Sequence, residues 1–456
     1  MKRLALLAST VALTACAPFA QKPNLPELTR PALPELPPAW QVAQESVGDV
    51  QVGWIAAFDD PVLTALVVEA QANNRNLQAA LAGLEQSRAL ARQARAALFP
   101  ALNYSASAAE AGPVAGSSAD SYASGLSLSW ELDVWGRVRA SRDSAAYAAA
   151  SAEADYVFSQ YSLAATVAQT YFLLIESELQ EAVAQKSLDA LAQTARIVSA
   201  QRELGAADAY DASLANANLA TARATLAQTQ GSKRLARRAL EVLVGRYPAD
   251  ALESRTDLPP VPALPSAGVP STLLERRPDL VAAELDVGAA FSDVGATKAT
   301  RLPTFSLSGA LDIAALDFSD AIDPDNGTWS LATALLGPLF DAGLRRAQID
   351  AASAVQRQAI AAYAQAVLNA LQEVENSLDQ NRVVAVRVKA LQEAADAQNR
   401  AFELAQLRYE EGETDLLDVF VVQSNTLSAD AAVVTARREQ LDEWINLNLA
   451  LGGSWE

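Results

Sequence analysis

Two parts of the chain alternate apolar and polar residues, and a long helical pattern follows each of them. From Tyr122 to Asp133, the large apolar side chains fall on even positions, and odd positions are small or polar. This period of two predicts a strand with one apolar and one polar face. The same pattern predicts a weaker partner strand over 102–109 and a second strand pair over 305–312 and 329–335.

The alternation leaves two interpretations of these strands open. They can form a soluble sheet packed on a core, or they can belong to a membrane barrel with a polar lumen and aromatic residues at the interfaces. Four strands cannot close a transmembrane barrel, since the smallest has about eight. The barrel interpretation therefore requires several chains to share one barrel.

The helical patterns that follow the strands are unusually long and narrow. No proline occurs from Arg137 to Glu203, and in the second half of the chain apolar residues step by four, three and four positions from Val367 to Leu378. Such spacing is typical of coiled-coil seams rather than of broad core faces. A helix of about 65 residues is roughly 100 Å long, so we predict long helical hairpins rather than an ordinary globular domain.

The turns of these hairpins are marked by glycine and aspartate. Gly205 and Gly412 are predicted to end the long helices, because glycine readily takes the left-handed conformation of a helix C-terminal cap. Asp208 and Asp415 follow as candidate N-caps of the returning helices. Each half of the chain thus predicts a strand pair and an antiparallel helical hairpin.

Two shorter helices are predicted before the strand pairs. One begins near Asp59-Asp60-Pro61, where acids and proline suit a first turn, and runs to about Leu98, before Phe99-Pro100. The other covers Thr272 to about Thr300.

The chain contains the same pattern twice. Pairs separated by 207 positions are Gly136 and Gly343, Asp211 and Asp418, and Gly245 and Gly452. Phe99-Pro100 and Leu302-Pro303 are separated by 203 positions instead. A tandem duplication with a four-residue slip accounts for both offsets. We predict a first repeat over 54–250, a proline-rich linker over 251–270 and a second repeat over 271–456.

The N-terminus has the pattern of a targeting segment. Lys2 and Arg3 precede an apolar run from Leu4 to Leu13 that is too short to span a bilayer. Leu13-Thr14-Ala15-Cys16 resembles a lipoprotein cleavage box, so we predict removal of residues 1–15 and acylation of Cys16, with palmitate among its acyl chains. The alternative is that Cys16 is an incidental thiol. The proline-rich segment 16–53 is interpreted as an extended, lipid-anchored tether.

Composition excludes several classes of function. The formal net charge is −19, which argues against nucleic acid as a partner. The chain has no histidine and one cysteine, so the commonest general base and metal ligand is missing and no disulfide can form within the chain. We predict neither an enzyme nor a metal site, and no cofactor besides the lipid on Cys16.

The sequence resembles the TolC-like outer-membrane channel family, most closely its lipoprotein branch of OprM and NodT type. The resemblance extends from Trp54 to Gly452. The residues that carry it are Trp54, Phe58-Asp59-Asp60-Pro61, Asn73-Asn74, Trp130-Glu131-Leu132-Asp133-Val134-Trp135-Gly136-Arg137, Glu275-Arg276-Arg277-Pro278-Asp279-Leu280, Leu302-Pro303, Phe305-Ser306-Leu307-Ser308-Gly309, Pro338-Leu339-Phe340-Asp341-Ala342-Gly343 and Arg408-Tyr409-Glu410-Glu411-Gly412.

The resemblance implies a mixed, mainly α fold in a homotrimer. Three chains would contribute twelve strands to one outer-membrane β-barrel, which an α-helical tunnel continues across the periplasm. The implied function is the exit duct of a tripartite efflux pump of RND type, which conducts drugs or other small toxic molecules. The implied partners are outer-membrane lipid, a periplasmic adaptor protein and an inner-membrane pump.

The family's periplasmic gate lies at the hairpin tips. Carried over, Asp211 and Tyr409 form a hydrogen-bonded pair linking neighbouring hairpins, Leu417 is an apolar constriction, and Asp418 forms an acidic ring. Val421 stands where many members carry a second acid, which puts the cation sensitivity of this gate in doubt and allows sealing by dewetting.

Simpler interpretations of the gate residues remain open. Asp211 and Asp418 can be ordinary first-turn acids, and Leu417 can be a seam residue. The resemblance also implies adaptor contacts at the tips, where the glycines can equally be plain helix caps. The candidate contact residues are Arg202, Leu204, Gly205, Arg408 and Gly412.

Two other functions compete with the efflux duct. A chain of the same fold can serve as the duct of a type I, ABC-driven secretion system, although the lipobox and the Glu275-Arg276-Arg277-Pro278-Asp279 run favour efflux. A periplasmic coiled-coil lipoprotein acting as a tether would need no barrel. If the abundant acids line a lumen, they favour cationic or neutral cargo.

Overall fold

The computed structural model describes residues 17–42, 53–205 and 207–454. Cys16 and the predicted signal segment lie outside these ranges. The helices, in chain order, are α1 Leu25–Thr29, α2 Pro61–Asn73, α3 Arg75–Ala96, α4 Arg137–Glu203, α5 Ala209–Leu243, α6 Leu273–Arg276, α7 Pro278–Ala299, α8 Leu344–Glu410 and α9 Leu416–Ala450. The strands are β1 Ala101–Ala111, β2 Ala119–Leu132, β3 Thr304–Ala315 and β4 Thr328–Leu336.

The predicted duplication is visible in the lengths of the elements. Helices α4 and α8 each contain 67 residues, and helices α5 and α9 each contain 35. Both pairs are related by the offset of 207, whereas α3 and α7, of 22 residues each, are related by the offset of 203. The four-residue difference between the two offsets arises mainly in the connection between the second strand and the long helix of each repeat. This connection is 133–136 in the first repeat and the longer 337–343 in the second.

The chain divides into two compact units, of which the first contains 17–34, 82–155 and 279–367. Its centre is an antiparallel sheet in the order β1-β2-β3-β4. The four predicted strands are therefore confirmed, with longer bounds than the sequence indicated, because small residues such as Ala111 and Ala314 extend the ladder without adding to the apolar pattern.

Residues 17–34 differ from the extended tether that the sequence predicted. They include the helix α1 and a turn of 3₁₀-helix over Arg30–Ala32. The backbone N–H of Phe19 donates to the carbonyl of Trp135 at 3.4 Å. Gly136, at φ +86°, lies so close to Ala20 that a Cβ there would be 2.7 Å from the alanine methyl. The proline-rich composition hid these packing contacts, which hold the segment against the β2–α4 connection.

The second unit contains 53–81, 156–278 and 368–454, together with residues 35–42. Its core is aromatic: Trp444 lies edge-to-face against Trp54 and Phe58, and Phe58 lies in the same way against Phe172. Trp40 is also buried, and its indole N–H donates to the carbonyl of Ala267 at 3.0 Å. The linker 251–270 lies along this core, with Leu252 and Leu258 buried in it.

Both shorter predicted helices are interrupted. The prediction of one helix from Asp59 to Leu98 was wrong, because Asn74 leaves the helical conformation between α2 and α3. The Asn74 side chain donates to the carbonyl of Leu243 at 2.9 Å and accepts from the N–H of Leu77 at 3.0 Å, which caps α3. Arg277 likewise separates α6 from α7, as expected for a residue before proline.

In the described ranges, every helix lacks either the length or the apolar character needed to cross a bilayer.

Candidate functional site

The register of the sheet gives it two chemically different faces. Cross-strand pairing aligns Tyr104, Leu126, Leu311 and Trp329 in one row that runs across all four strands. The neighbouring row contains Asn103, Ser127, Ala310 and Ser330 and points to the opposite face. Trp329 is 80% exposed and Leu331, two positions on, is 65% exposed. Among the described residues, Phe318 packs on Tyr122 at one end of this apolar face, whereas Trp329 and Leu331 remain largely uncovered.

The two edge strands have unused pairing capacity. Strand β1 pairs with β2 and strand β4 with β3, so each has one free edge within the described sheet. Strands of 11 and 9 residues with free backbone N–H and C=O groups are templates for pairing with another chain. An exposed apolar face and two free edges together fit a sheet that is completed by further copies.

The tip of the first hairpin is built by helix caps. Gly205 has φ +76° and closes the end of α4 by donating its N–H to the carbonyl of Arg202 at 3.0 Å. The Asp208 carboxylate accepts from the N–H of Asp211 at 2.9 Å, and the Asp211 carboxylate accepts from the N–H of Asp208 at 3.5 Å. This capping box starts α5. Leu204, between the two helices, is largely exposed.

The tip of the second hairpin repeats this design. Gly412 has φ +77°, and the N–H of Glu413 donates to the carbonyl of Arg408 at 2.8 Å, as in a Schellman cap. The Asp415 carboxylate accepts from the N–H of Asp418 at 3.1 Å and caps α9. The Thr414 hydroxyl donates to the Asp418 carboxylate at 2.6 Å. Asp418 thus has a local structural role, which does not test its predicted role in an acidic ring.

A small apolar cluster joins the two hairpins near their tips. Leu416 and Phe420 of α9 pack with Leu191 and Val198 of α4 and with Ala215 of α5. Tyr409 packs at the edge of this cluster. The cluster fixes which face of α9 remains free.

Leu417 and Val421 lie on that free face. Leu417 is 43% exposed and Val421 is 52% exposed, whereas Leu416 and Phe420 are buried. One turn of helix separates the two exposed side chains, so they form a continuous apolar strip at the start of α9. Leu417 thus lies outside the apolar cluster that joins the two hairpins within the chain, and its predicted role as a constriction stays a prediction.

Within one chain, Asp211 and Tyr409 have other partners. The Tyr409 hydroxyl donates to Oε1 of Gln201 at 3.3 Å, and Asp211 belongs to the capping box described above. The predicted pair between neighbouring hairpins concerns the assembled protein and stays a prediction. The sequence analysis missed Gln201, which precedes the first tip and could have been found from its position opposite Tyr409 in the predicted hairpins.

Charged groups also connect α4 and α9 away from the tips. Arg438 contacts the carboxylates of both Glu176 and Asp442, and the Thr435 hydroxyl donates to Glu176 at 2.6 Å. Burial raises the pKa of Asp442 to about 7, although Arg438 opposes this shift. Sequence analysis did not find this network, because Glu176 is remote along the chain from Thr435, Arg438 and Asp442 and no motif marks the contact.

Comparisons with known proteins agree with this geometry. Residues 66–246 and 269–453 match the outer membrane efflux protein family. SepC, a probable efflux pump outer membrane protein of Pseudomonas putida, is 30% identical over 418 residues, which cover 90% of this chain and 86% of SepC. OpmQ, a pyoverdine export outer membrane protein of Pseudomonas aeruginosa, is 30% identical over 475 residues, which cover 100% of this chain and 98% of OpmQ.

A solved structure has the same fold. The outer-membrane channel OprN aligns with a TM-score of 0.83 at 31% identity, over 92% of this chain and 98% of that one. The long duplicated hairpins and the two-faced sheet define an outer-membrane channel. The chain belongs to the outer membrane efflux protein family. The predicted family, fold class and role as an efflux channel are therefore confirmed.

Proposed function

We propose that three copies of this chain form one passive exit duct, which receives small molecules from an RND-type inner-membrane pump through a periplasmic adaptor protein. The observation that carries this proposal is the four-stranded sheet with an exposed apolar face, a polar face and two free edges. Pairing β1 of one copy with β4 of the next gives twelve strands in three copies. Such a barrel turns Trp329 and Leu331 toward lipid and Ser330 toward the lumen.

The hairpin tips are the proposed gate and adaptor contact. Leu417 and Val421 would meet their symmetry mates around the threefold axis and exclude water from the closed channel. The exposed tip residues, Arg202, Leu204, Gly205, Arg408 and Gly412, would meet the adaptor. Their exposure and their position at the helix ends support this assignment.

Replacing both Leu417 and Val421 with serine is expected to open the channel. In a trimer the double variant changes six side chains. If each change removes only ~0.5 kcal/mol of the free energy that stabilises the closed state, the closed-to-open equilibrium shifts about 100-fold. The measurement is open probability of the purified channel in a planar bilayer.

The matched control for the gate carries Val383→Ser and Val386→Ser. These valines are also exposed, but they lie on α8 away from the tips. The control should behave as the unmodified protein. An unchanged closed state in the Leu417/Val421 variant would rule out this apolar gate.

Cys16 is proposed to carry the lipid anchor. The packing of residues 17–20 against the β2–α4 connection supports this proposal, since it holds the segment that follows Cys16 beside the end of the sheet. A Cys16→Ala variant should lose all incorporation of labelled palmitate, whereas Ala17→Ser should retain it. Intact-protein mass spectrometry checks the result. Absence of label in the unmodified protein would contradict the proposal.

A further inference from the structure

A cavity of about 330 Å³ lies between helices α4, α5 and α9. Phe420 and Leu191 contribute apolar surface, Ser187 and Gln423 are buried polar residues, and Thr225 is an exposed residue of the lining. The volume is at the lower end of the range of ligand cavities, which are mainly apolar with a few polar groups. All of these residues belong to one compact unit.

The lining carries no charge among its described residues, although the chain as a whole has a formal net charge of −19. An ion that entered this cavity would lose hydration without gaining a counter-charge. The cavity therefore favours neutral ligands over charged ones of the same size.

The hydroxyl groups of the lining are available mainly as acceptors. Thr221, Thr225, Thr229 and Ser428 each donate their hydroxyl proton to a backbone carbonyl of their own helix, at 2.9 to 3.1 Å. Each of these oxygens keeps lone pairs that can accept a hydrogen bond from a ligand. A ligand that matches this lining presents hydrogen-bond donors, such as its own hydroxyl groups.

The aromatic part of the cavity is a departure from the internal repeat. Phe420 of α9 corresponds to Ser213 of α5 at the offset of 207, and Leu191 of α4 corresponds to Gln398 of α8. Duplication of the hairpin alone therefore does not account for the cavity. It depends on residues that differ between the two copies.

We propose that this cavity binds a neutral small molecule with an aromatic or aliphatic body and several hydroxyl groups. The body packs on Phe420 and Leu191, and the hydroxyl groups donate to the threonine oxygens. Bound in this way, the ligand connects α9 to both helices of the first hairpin.

Binding also affects the gate, a consequence that rests on the proposed channel function. Phe420 lies next to Val421 and three positions from Leu417 on α9. A ligand that holds Phe420 against α4 and α5 restrains the helix that carries the gate. The ligand therefore stabilises the closed channel, as any ligand with a higher affinity for one state stabilises that state.

The binding test uses phenyl β-D-glucoside and two charged derivatives, which carry a carboxylate or an aminomethyl group on the ring. In the full-length Thr225→Cys variant, alkylation by N-ethylmaleimide is followed by mass spectrometry of the peptide that contains position 225. The neutral glucoside should give half-maximal protection at ~0.1 mM, the dissociation constant expected for a ligand of its size. Each charged derivative should need at least about tenfold more, which corresponds to 1.4 kcal/mol.

A Ser232→Cys variant is the matched control, because Ser232 is an exposed residue of the same helix outside the lining. The glucosides should not protect it. A Thr221→Cys variant, at a second lining position, repeats the test if Thr225→Cys does not assemble. Equal protection by all three compounds, or no protection by the neutral one at ~10 mM, about 100 times the expected constant, would overturn the proposed site.

The effect on the gate is measured separately. Benzyl methanethiosulfonate is attached to the Thr225→Cys variant through a disulfide, with methanesulfinate released, and open probability is recorded before and after. We expect at least about a tenfold decrease, equivalent to 1.4 kcal/mol, and no change in the Ser232→Cys variant. Protection by the glucoside without any change in conductance would overturn the coupling while supporting the site. Failure of every variant, and of the unmodified protein, to conduct would instead contradict the channel function.

Discussion

A Leu331→Arg substitution is expected to prevent assembly of the protein in the outer membrane. Leu331 belongs to the exposed apolar face of the sheet, in the row that also contains Leu102 and Leu128. An arginine facing lipid at the bilayer midplane costs about 2–4 kcal/mol. Three copies would add ~6–12 kcal/mol, which is comparable to the whole folding free energy of a typical domain.

The neighbouring substitution Ser330→Arg provides the control for this result. Ser330 is one residue away on the same strand and faces the opposite side of the sheet. We expect Ser330→Arg to assemble and to alter ion selectivity, because its charge would face the lumen. The measurement is the amount of trimer in isolated outer membranes by native electrophoresis. If both variants assembled equally well, the assignment of the two faces to lipid and lumen would be wrong.

A Trp444→Ala substitution is expected to lower the free energy of unfolding by about 3–5 kcal/mol. Trp444 is fully buried, lies 5.0 Å from the ring of Phe58 and donates its indole N–H to the carbonyl of Ala263 at 3.1 Å. The substitution therefore leaves a large cavity and an unsatisfied carbonyl at the linker. It should weaken the attachment of α9 to the rest of its unit.

Two further variants separate these contributions. Trp444→Phe keeps much of the ring volume but loses the hydrogen bond, so an intermediate loss is expected. Val386→Ala, at a side chain that is 68% exposed, should change stability by less than about 0.5 kcal/mol. Thermal unfolding of the detergent-solubilised protein is the measurement. Equal melting temperatures for Trp444→Ala and Val386→Ala would contradict the role of this core.

The long helices and the strand pairs could be predicted from the sequence because their signals are local and repeated. Alternation in β2 and the absence of proline in α4 each persist over many residues, and the duplication presents both a second time. The break at Asn74 could not be predicted in this way. Besides capping α3 locally, the Asn74 side chain donates to the carbonyl of Leu243, and this second contact is remote in sequence.

At the hairpin tips, the local features could be predicted from the sequence and the packing could not. Glycine and aspartate have local conformational preferences, so the caps at Gly205 and Asp208 follow from the sequence alone. The burial of Phe420 and the exposure of Leu417 depend on how α9 packs against the first hairpin. At the start of α9, apolar residues cover most of the circumference of the helix. Such a sequence does not indicate which of these residues will face water.

The equal lengths of the duplicated helices impose a constraint on how this protein can evolve. Deletion of seven residues from α4 and a matching number from α5 would withdraw the first tip by about 10 Å, at 1.5 Å per residue. The second tip would stay where it was, so the two hairpins would end at different levels. Insertions and deletions in one copy are therefore tolerated only with compensation in the other. A tunnel of this kind therefore changes length only when both repeats change together, because the length of each hairpin must match that of the other.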